Sequence, residues 1–271
     1  MTLSRIGSVV LIGAGKMGLA LASGWLAAGL PASDLTLVDP NPSEMTKAFA
    51  RDHGVALSGK AEGAARRVVV MAVKPQVIHA VMPEVRPVLG EETLVLSIAA
   101  GISITALSEG LGTRRVVRTM PNTPAQLGKG MSGAVAGAGV SEEDRAIADA
   151  LMRAAGDLAW FDDEAMIDAV TSVSGSGPAY VFHMVEALAA AGEQQGFTPE
   201  QAMHFARQTI IGAAALLEAE PDIPAATLRQ NVTSPKGTTA AALEVLMEGL
   251  TPLMEKTVAA CRRRSEELGR E

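Results

Sequence analysis

The first 160 or so residues alternate between short apolar runs and longer segments with a helical spacing of apolar positions. The short runs are nearly continuous in apolar residues, which is typical of strands covered on both faces. They read VVLI, LTLV, VVVMAV, TLVLSI, RVVRTM, SGAVA and LAWF, and lie between residues 8 and 161. Strands that alternate with helices predict an α/β fold, in which a parallel sheet has helices on both faces.

After residue 162 the pattern changes, because Ala- and Leu-rich helical stretches replace the strand-like runs. We predict helices over Asp163–Val173, Gly177–Gln195, Pro199–Ala219, Thr239–Met247 and Thr251–Leu268. The sequence therefore predicts an α/β domain over residues 1–162 and an all-helical domain over residues 163–271.

The stretch Ala179–Ala191 is apolar on nearly all sides, which predicts a buried helix. A domain of about a hundred residues has limited interior for such helices. We therefore expect a homo-oligomer in which some of them pack against a second subunit. Burial between the two domains is the alternative.

Composition narrows the class of protein. The net charge is -7 and aromatic residues make up 3%, so we expect no nucleic-acid partner. The single cysteine, Cys261, excludes an intrachain disulfide, and no Cys/His cluster predicts a metal site. His183 and Glu186 lie three apart on one predicted helix, but a third ligand is missing. With no signal or spanning segment in view, we expect a cytoplasmic protein without a membrane partner.

The motif GAGKMG follows the first predicted strand and opens a predicted helix, which is the setting that indicates a dinucleotide site. There Gly13 permits a tight turn, Gly15 lets the backbone approach a pyrophosphate, and Gly18 allows close helix packing. Asp39 ends the second strand, where a carboxylate binds a ribose hydroxyl and repels a 2′-phosphate. Taken alone, it favours NAD over NADP. The alternative is a loop that only turns, with Asp39 beginning the turn DPNP.

Two further motifs follow predicted strands, at the edge where open α/β sheets bind ligands: AVKP over Ala72–Pro75 and SIAAG over Ser97–Gly101. Lys74 could bind a phosphate or carboxylate, or be solvated. Pro75 by itself favours a role in shaping the turn.

Three later motifs are candidates for the substrate end. RTMPNTP, Arg118–Pro124, contains Asn122, which could orient a substrate or cap the turn. SGSGPAY, Ser174–Tyr180, and NVTSPKGTT, Asn231–Thr239, each lead into a predicted helix. The free N–H groups and the dipole at a helix start suit a small anion such as a carboxylate.

In combination and order, GAGKMG, AVKP, SIAAG, RTMPNTP, VSGSGPAY and NVTSPKGTT resemble the pyrroline-5-carboxylate reductase family, over about residues 6 to 268. The resemblance implies NAD(P)H-dependent reduction of 1-pyrroline-5-carboxylate to L-proline, the last step of proline biosynthesis. It also implies a Rossmann-like doubly wound sheet and an all-helical domain for substrate binding and dimerisation. A homodimer could assemble further into a decamer.

The resemblance assigns roles by position. Cofactor-binding residues, with Asp39 added from its spacing, would be Gly13, Ala14, Gly15, Lys16, Met17, Gly18, Asp39, Ala72, Val73, Lys74, Pro75, Ala100 and Asn231. Substrate-binding residues would be Glu164, Ser176, Gly237, Thr238 and Thr239, with Thr239 as the catalytic residue whose hydroxyl meets the ring nitrogen. The residues alone leave simpler interpretations open. Glu164 could be a first-turn helix acid, and Thr239 a helix N-cap.

The sequence departs from the family pattern in two places. Many members carry Asn-Arg or Ser-Arg after the second strand, whereas Asp39 and Asn41 stand here. Lys47 or Arg51 could compensate from the next helix, so the choice between NAD and NADP stays close to even. Lys236 stands where the family usually has Gly, and either adds positive charge near the carboxylate or points outward.

Other functions stay open. A β-hydroxyacid dehydrogenase is disfavoured because SGSGPAYVFHM lacks the catalytic lysine of that group. The alternatives are an imine reductase of another cyclic imino acid and a non-catalytic NAD(P)-binding regulatory protein.

Overall fold

The computed structural model describes residues 1–269 and contains one eight-stranded sheet, in the order β3-β2-β1-β4-β5-β6-β7-β8. The strands are β1 Val9–Ile12, β2 Leu35–Val38, β3 Ala56–Ser58, β4 Val68–Met71, β5 Leu94–Ser97, β6 Val116–Met120, β7 Gly130–Ala136 and β8 Gly156–Phe161. All neighbouring strands are parallel except β6 and β7. This mostly parallel, Rossmann-like sheet with a helical C-terminal region confirms the predicted fold class.

Ten α-helices accompany the sheet in the described residues. They are α1 Lys16–Ala27, α2 Glu44–His53, α3 Pro75–Val85, α4 Ile104–Leu111, α5 Glu142–Arg153, α6 Met166–Val170, α7 Gly177–Gln194, α8 Pro199–Ala219, α9 Ala225–Asn231 and α10 Thr238–Leu268. Short 3-10 turns span Leu3–Arg5, Ala32–Asp34, Arg86–Val88 and Thr123–Leu127, and a π-helical turn spans Thr171–Gly175.

Both faces of the sheet are buried, which explains the continuous apolar strands. Leu11 points to one face, where it packs in a cluster with Trp25 of α1. Its neighbour Ile12 points to the other face, in a cluster with Ile78 of α3 and Leu107 of α4. Burial of a large apolar side chain contributes about 1.5 to 3 kcal/mol.

Two features of the sheet differ from the prediction. β7 runs antiparallel to β6, with Val117 opposite Ala136, where a parallel strand was predicted. The link from Met120 to Gly130 is too short for a parallel crossover, which needs about a dozen residues or more. The edge strand β3 was missed because its three residues carry no apolar run.

The helices also differ in detail. The helix predicted over Asp163–Val173 begins only at Met166 and passes into the π-helical turn. α10 is continuous through Pro252, where two helices were predicted. A proline within a helix removes one backbone hydrogen bond but does not always end the helix. α9 was missed because seven residues are too few to display a helical period.

A buried carboxylate stabilises the start of α5. Asp144 and Ser141 form a capping box, and the Asp144 side chain also accepts hydrogen bonds from Arg115 at 2.9 Å and Arg67 at 3.1 Å. Burial by itself would raise the pKa of Asp144. The hydrogen bonds from Arg115, Ser141 and Arg67 outweigh burial, so the pKa lies below its ordinary value of 3.8.

Contacts divide the chain into two compact units. The first comprises residues 1–176 and the segment from Cys261 onward, and the second comprises Gly177–Ala260. This division differs from the predicted boundary near residue 162. The reason is that α6 packs on the sheet, and that Asp168 accepts a hydrogen bond from Ser265 at 2.6 Å. Residues 270 and 271 of the predicted second domain lie outside the described residues.

The second unit exposes the helix that was predicted to be buried. α7 packs on α8 through small side chains, with Ala189, Ala202 and Ala206 forming a buried cluster. Its larger apolar side chains face outward, and Phe182 is 64% exposed. These side chains are exposed in a single chain, so the burial expected against a second subunit stays a prediction. Among residues 1–269, no helix has both the length and the apolar character needed to cross a bilayer.

Candidate functional site

The glycine-rich turn lies between β1 and α1, where β1 is flanked by β2 on one side and β4 on the other. Gly13 has a φ of +92°, and a Cβ there would lie 2.8 Å from the amide nitrogen of Val73. A Cβ on Gly18 would lie 2.6 Å from the carbonyl oxygen of Gly13. Gly15 differs, because a Cβ there would meet no atom within 4 Å. The loop therefore needs two glycines for packing and presents an open backbone at the third.

A cavity of about 360 Å³, which we call the first cavity, opens beside this turn. It brings together six of the predicted cofactor-binding residues: Gly13, Gly15, Asp39, Ala72, Val73 and Lys74. Ala14 is buried in the turn, and Lys16, Met17 and Gly18 form the first residues of α1. The open backbone at Gly15 and the helix start behind it fit a pyrophosphate. This cradle therefore fits a dinucleotide.

Asp39 both shapes its turn and lines the first cavity, and its contact with a ribose stays a prediction. Its carboxylate accepts hydrogen bonds from the amide of Asn41 at 2.9 Å and the amide of Ala14 at 3.3 Å. A carboxylate has further lone pairs, which leaves acceptor capacity for a ribose hydroxyl.

The two cations expected to compensate for Asp39 do not line the first cavity. Lys47 pairs with Glu44 at 2.8 Å, and Arg51 pairs with its neighbour Asp52 at 2.9 Å. Lys60 lines the cavity instead. Sequence reasoning missed Lys60 because it follows β3, the short edge strand that the apolar pattern did not reveal.

A second cavity, of about 550 Å³, lies within the same unit. It brings together the predicted residues Pro75, Ala100 and Ser176. Cys261 also lines it, and its sulfur lies 3.2 Å from the Ser176 hydroxyl oxygen. Pro75 is the first residue of α3, so it shapes the turn, as its chemistry indicated, and also lines a cavity. No motif in the sequence pointed to Cys261, since it lies far along the chain in α10.

Glu164 lies before α6 and serves another helix. Its Oε1 accepts a hydrogen bond from Arg118 Nη1 at 2.7 Å and from the amide of Ile104 at 2.8 Å. Ile104 is the first residue of α4, so the carboxylate complements the dipole of α4 rather than that of its own helix. The Arg118 side chain is 8% exposed and that of Glu164 is 30% exposed.

Asn122 is a structural link. Its Nδ2 donates to the carbonyl of Ser174 at 2.9 Å, and its Oδ1 accepts from the amide of Met131 at 2.9 Å. The side chain does not cap the turn that follows. Since both ends of the amide bind protein groups, Asn122 holds the SGSGPAY segment in place.

In the second unit, the NVTSPKGTT motif spans the end of α9 and the start of α10. Asn231 is the last residue of α9 and is exposed. Thr238 and Thr239 are the first two residues of α10, so Thr239 lies inside the helix rather than at the capping position before it. The amide of Gly237 donates to the Ser234 carbonyl at 3.0 Å.

Lys236 has a φ of 59° and is the only non-glycine residue with a positive φ in the part of the chain that the structure describes. A left-handed conformation costs an ordinary residue about 1 to 2 kcal/mol. The glycine that the family usually has there would avoid this cost.

Metal ligands do not assemble in the described part of the chain, since no group of three or more His, Cys, Asp or Glu side chains could hold an ion. His183 and Glu186 form an exposed pair at 3.0 Å. The first cavity and the Rossmann-like sheet together are typical of dinucleotide-binding proteins, a class that includes the nicotinamide-dependent oxidoreductases.

Comparison with known proteins gives the family. Residues 8–101 match the family described as NADP oxidoreductase, coenzyme F420-dependent, and residues 164–268 match pyrroline-5-carboxylate reductase dimerisation. The chain is 43% identical over 266 residues to pyrroline-5-carboxylate reductase of Pseudomonas aeruginosa, with 96% of each covered. This chain belongs to the pyrroline-5-carboxylate reductase family.

Two solved structures of this family are similar to the chain over nearly its whole length. A pyrroline-5-carboxylate reductase from Coxiella burnetii has a TM-score of 0.91 and 34% identity, with 97% of this chain and 99% of that chain covered. The Plasmodium falciparum pyrroline carboxylate reductase, with NADP bound, has a TM-score of 0.81 and 28% identity, with 97% and 98% covered.

Proposed function

We propose that the protein reduces 1-pyrroline-5-carboxylate to L-proline with a reduced nicotinamide nucleotide, the last step of proline biosynthesis. The observation that carries this proposal is the 43% identity to the Pseudomonas aeruginosa enzyme over 96% of both chains. The fold alone would not suffice, because Rossmann-like sheets support many reactions. We also place the protein in the cytoplasm, without a nucleic-acid partner.

The first cavity would hold the nucleotide. In it, Gly13 to Gly18 would face the pyrophosphate, Asp39 the adenosine ribose, and Ala72 to Lys74 a further part of the nucleotide. Pro75 and Ala100 would contact the nucleotide from the second cavity. The family resemblance also assigns Asn231 to the nucleotide. When bound, the reduced nicotinamide supplies the hydride. We keep the choice between NADH and NADPH close to even, because Asp39 favours NADH whereas the Plasmodium falciparum relative has NADP bound.

The start of α10 supplies the groups that we propose for the substrate. The first backbone N–H groups of α10, from Thr238 onward and beside Gly237, would hold the carboxylate. A favourable interaction of a charge with the helix dipole contributes about 0.3 to 1 kcal/mol when exposed. The Thr239 hydroxyl would orient the ring nitrogen and relay a proton. A protonated imine is a good hydride acceptor, so fixed geometry matters more than a strong acid. Ser176 and Glu164 complete the proposed set.

Steady-state kinetics with NADH and NADPH separately test the reaction, by following loss of nicotinamide absorbance with pyrroline-5-carboxylate. Thr239→Val should lower kcat about a hundredfold, since it removes the group that orients or relays the proton. Thr239→Ser should keep most activity. Thr257→Val, in the same helix, is the matched control, because within residues 1–269 the Thr257 hydroxyl donates to the Leu253 carbonyl of its own helix.

The outcome separates the alternatives. Turnover of larger cyclic imines but not of pyrroline-5-carboxylate would indicate an imine reductase of another substrate. Binding of nucleotide without turnover of any imine would indicate a regulatory protein. Equal activity of Thr239→Val and wild type would contradict the catalytic role of Thr239.

We propose a homodimer formed by the helical domain, which could assemble further into a decamer of five dimers. Residues 164–268 match a dimerisation family, and α7 and α8 expose large apolar side chains such as Phe182 and Phe205. Light scattering after size exclusion would measure the mass. A particle of about 28 kDa, the mass of one chain, would contradict the dimer.

A further inference from the structure

The first cavity is lined by cations as well as by Asp39, the carboxylate expected to disfavour a 2′-phosphate. Lys60 and Lys74 are the cations among its lining residues, and Asp39 and Glu84 are the anions. Lys74 follows β4, on one side of β1, whereas Asp39 and Lys60 follow β2 and β3, on the other side. Of the two lysines, Lys60 therefore lies at the ribose end.

Backbone hydrogen bonds fix this neighbourhood. Val38 pairs with Ser58 in the parallel register of β2 and β3, and the amide of Asp39 donates to the Ser58 carbonyl at 3.0 Å. The Ser58 hydroxyl accepts from the amide of Lys60 at 3.2 Å and donates to its carbonyl at 2.9 Å. Adjacent strands lie about 4.8 Å apart, so the flexible stem of Lys60 can reach a group bound at Asp39.

The Lys60 ammonium is available for such a group. Within residues 1–269 Lys60 forms no ion pair. Lys47 and Arg51 are each paired with another residue of α2. A lysine ammonium is a compact charge that binds phosphate without a fixed geometry. The Asp39 carboxylate, in turn, is held by the amides of Asn41 and Ala14.

We propose that Lys60 binds the 2′-phosphate of NADPH and so allows this chain to use that nucleotide despite Asp39. The inference rests on the proposed nucleotide site and assigns a residue that determines the choice of cofactor. NADH has no 2′-phosphate, so Lys60 contributes little to its binding.

Direct titration calorimetry of NADPH and of NADH, without imine substrate, tests this role. Lys60→Ala should weaken NADPH binding about tenfold, equivalent to about 1.4 kcal/mol, and change NADH binding less than about twofold. Lys60→Arg should retain NADPH affinity. Lys47→Ala removes the same charge from an exposed ion pair outside the cavity lining, and should change neither affinity. Higher salt should reduce the tenfold difference, because solvent-exposed charges are screened.

Three results with Lys60→Ala would overturn the inference. The substitution could leave NADPH affinity unchanged, could weaken the binding of both nucleotides equally, or could have the same effect as Lys47→Ala. A wild-type protein that binds NADH but not NADPH would also contradict it while leaving the proposed reduction in place. A wild-type protein that binds neither nucleotide would overturn the proposed function together with this inference.

Discussion

Removal of Glu164 and removal of Arg118 should destabilise the fold by different amounts, although the two residues form one ion pair. Removal of one partner from a buried pair costs about 3 to 5 kcal/mol, whereas an exposed pair contributes about 1 kcal/mol or less. Here Arg118 is 8% exposed and Glu164 30% exposed. Water can therefore solvate Glu164 when Arg118 is lost, but it reaches Arg118 much less when Glu164 is lost. The Nε of Arg118 is already buried without a hydrogen-bond partner in the described residues.

We expect Glu164→Leu to lower the free energy of unfolding by about 3 kcal/mol and Arg118→Met by about 1 to 2 kcal/mol. The double substitution should cost less than the sum of the two, with a coupling energy of about 2 kcal/mol. Because the pair joins β6 to the start of α4, its loss should also loosen the loop that carries Ala100.

Urea unfolding of the four proteins, at one fixed concentration because association shifts apparent stability, measures this coupling. The control cycle uses Glu44 and Lys47, an exposed pair three residues apart, for which we expect about 0.5 kcal/mol or less. The reasoning would be refuted by a coupling as small as the control, or by Arg118→Met costing more than Glu164→Leu.

Three further predictions concern single positions. Gly15→Ala should change the free energy of unfolding in urea by less than about 0.5 kcal/mol, yet weaken nucleotide binding at least about tenfold, because its methyl group would meet the nucleotide rather than the protein. Gly13→Ala should destabilise the fold, because its methyl group would meet backbone. Equal stability of the two variants would contradict the packing argument. Because the pKa of Asp144 is lowered in the folded state, the stabilisation by its carboxylate is fully present above about pH 4 and is lost as the pH falls through the folded pKa. The difference in unfolding free energy between wild type and Asp144→Asn should therefore shrink below about pH 4. A difference that grows there would contradict this prediction. Lys236→Gly should raise the free energy of unfolding by about 0.5 to 1 kcal/mol, whereas Lys236→Ala should not, and equal effects would exclude strain at φ 59° as the cause.

Local sequence signals predicted the parts of the site that depend on neighbouring residues. GAGKMG indicated a tight turn between strand and helix, and Gly13 and Gly18 indeed lie against backbone. Asp39 was also placed correctly at the end of β2, because the length of the apolar run sets where that strand ends. Each of these features is specified within a few residues, so the pattern alone was sufficient.

The partners of Glu164 and the position of Lys60 required the folded chain. Arg118 and Glu164 are 46 residues apart, and Ile104 and Glu164 are 60 apart. Nothing in the acidic run Asp162–Glu164 distinguishes a carboxylate that serves its own helix from one that serves another helix. Lys60 was equally inconspicuous, because its position depends on the pairing of a three-residue edge strand.

The sequence by itself determined the buried strands and the nucleotide-binding turn, because apolar periodicity and the steric demands of glycine are properties of adjacent residues. The family was indicated by the resemblance of six motifs in their order along the chain. The tertiary structure alone decided the direction of β7, the exposure of α7 and the choice of ion-pair partners. These depend on the length of connections and on which surfaces meet. Such contacts arise between distant parts of the chain, where the burial of one group is set by residues that the local pattern does not contain.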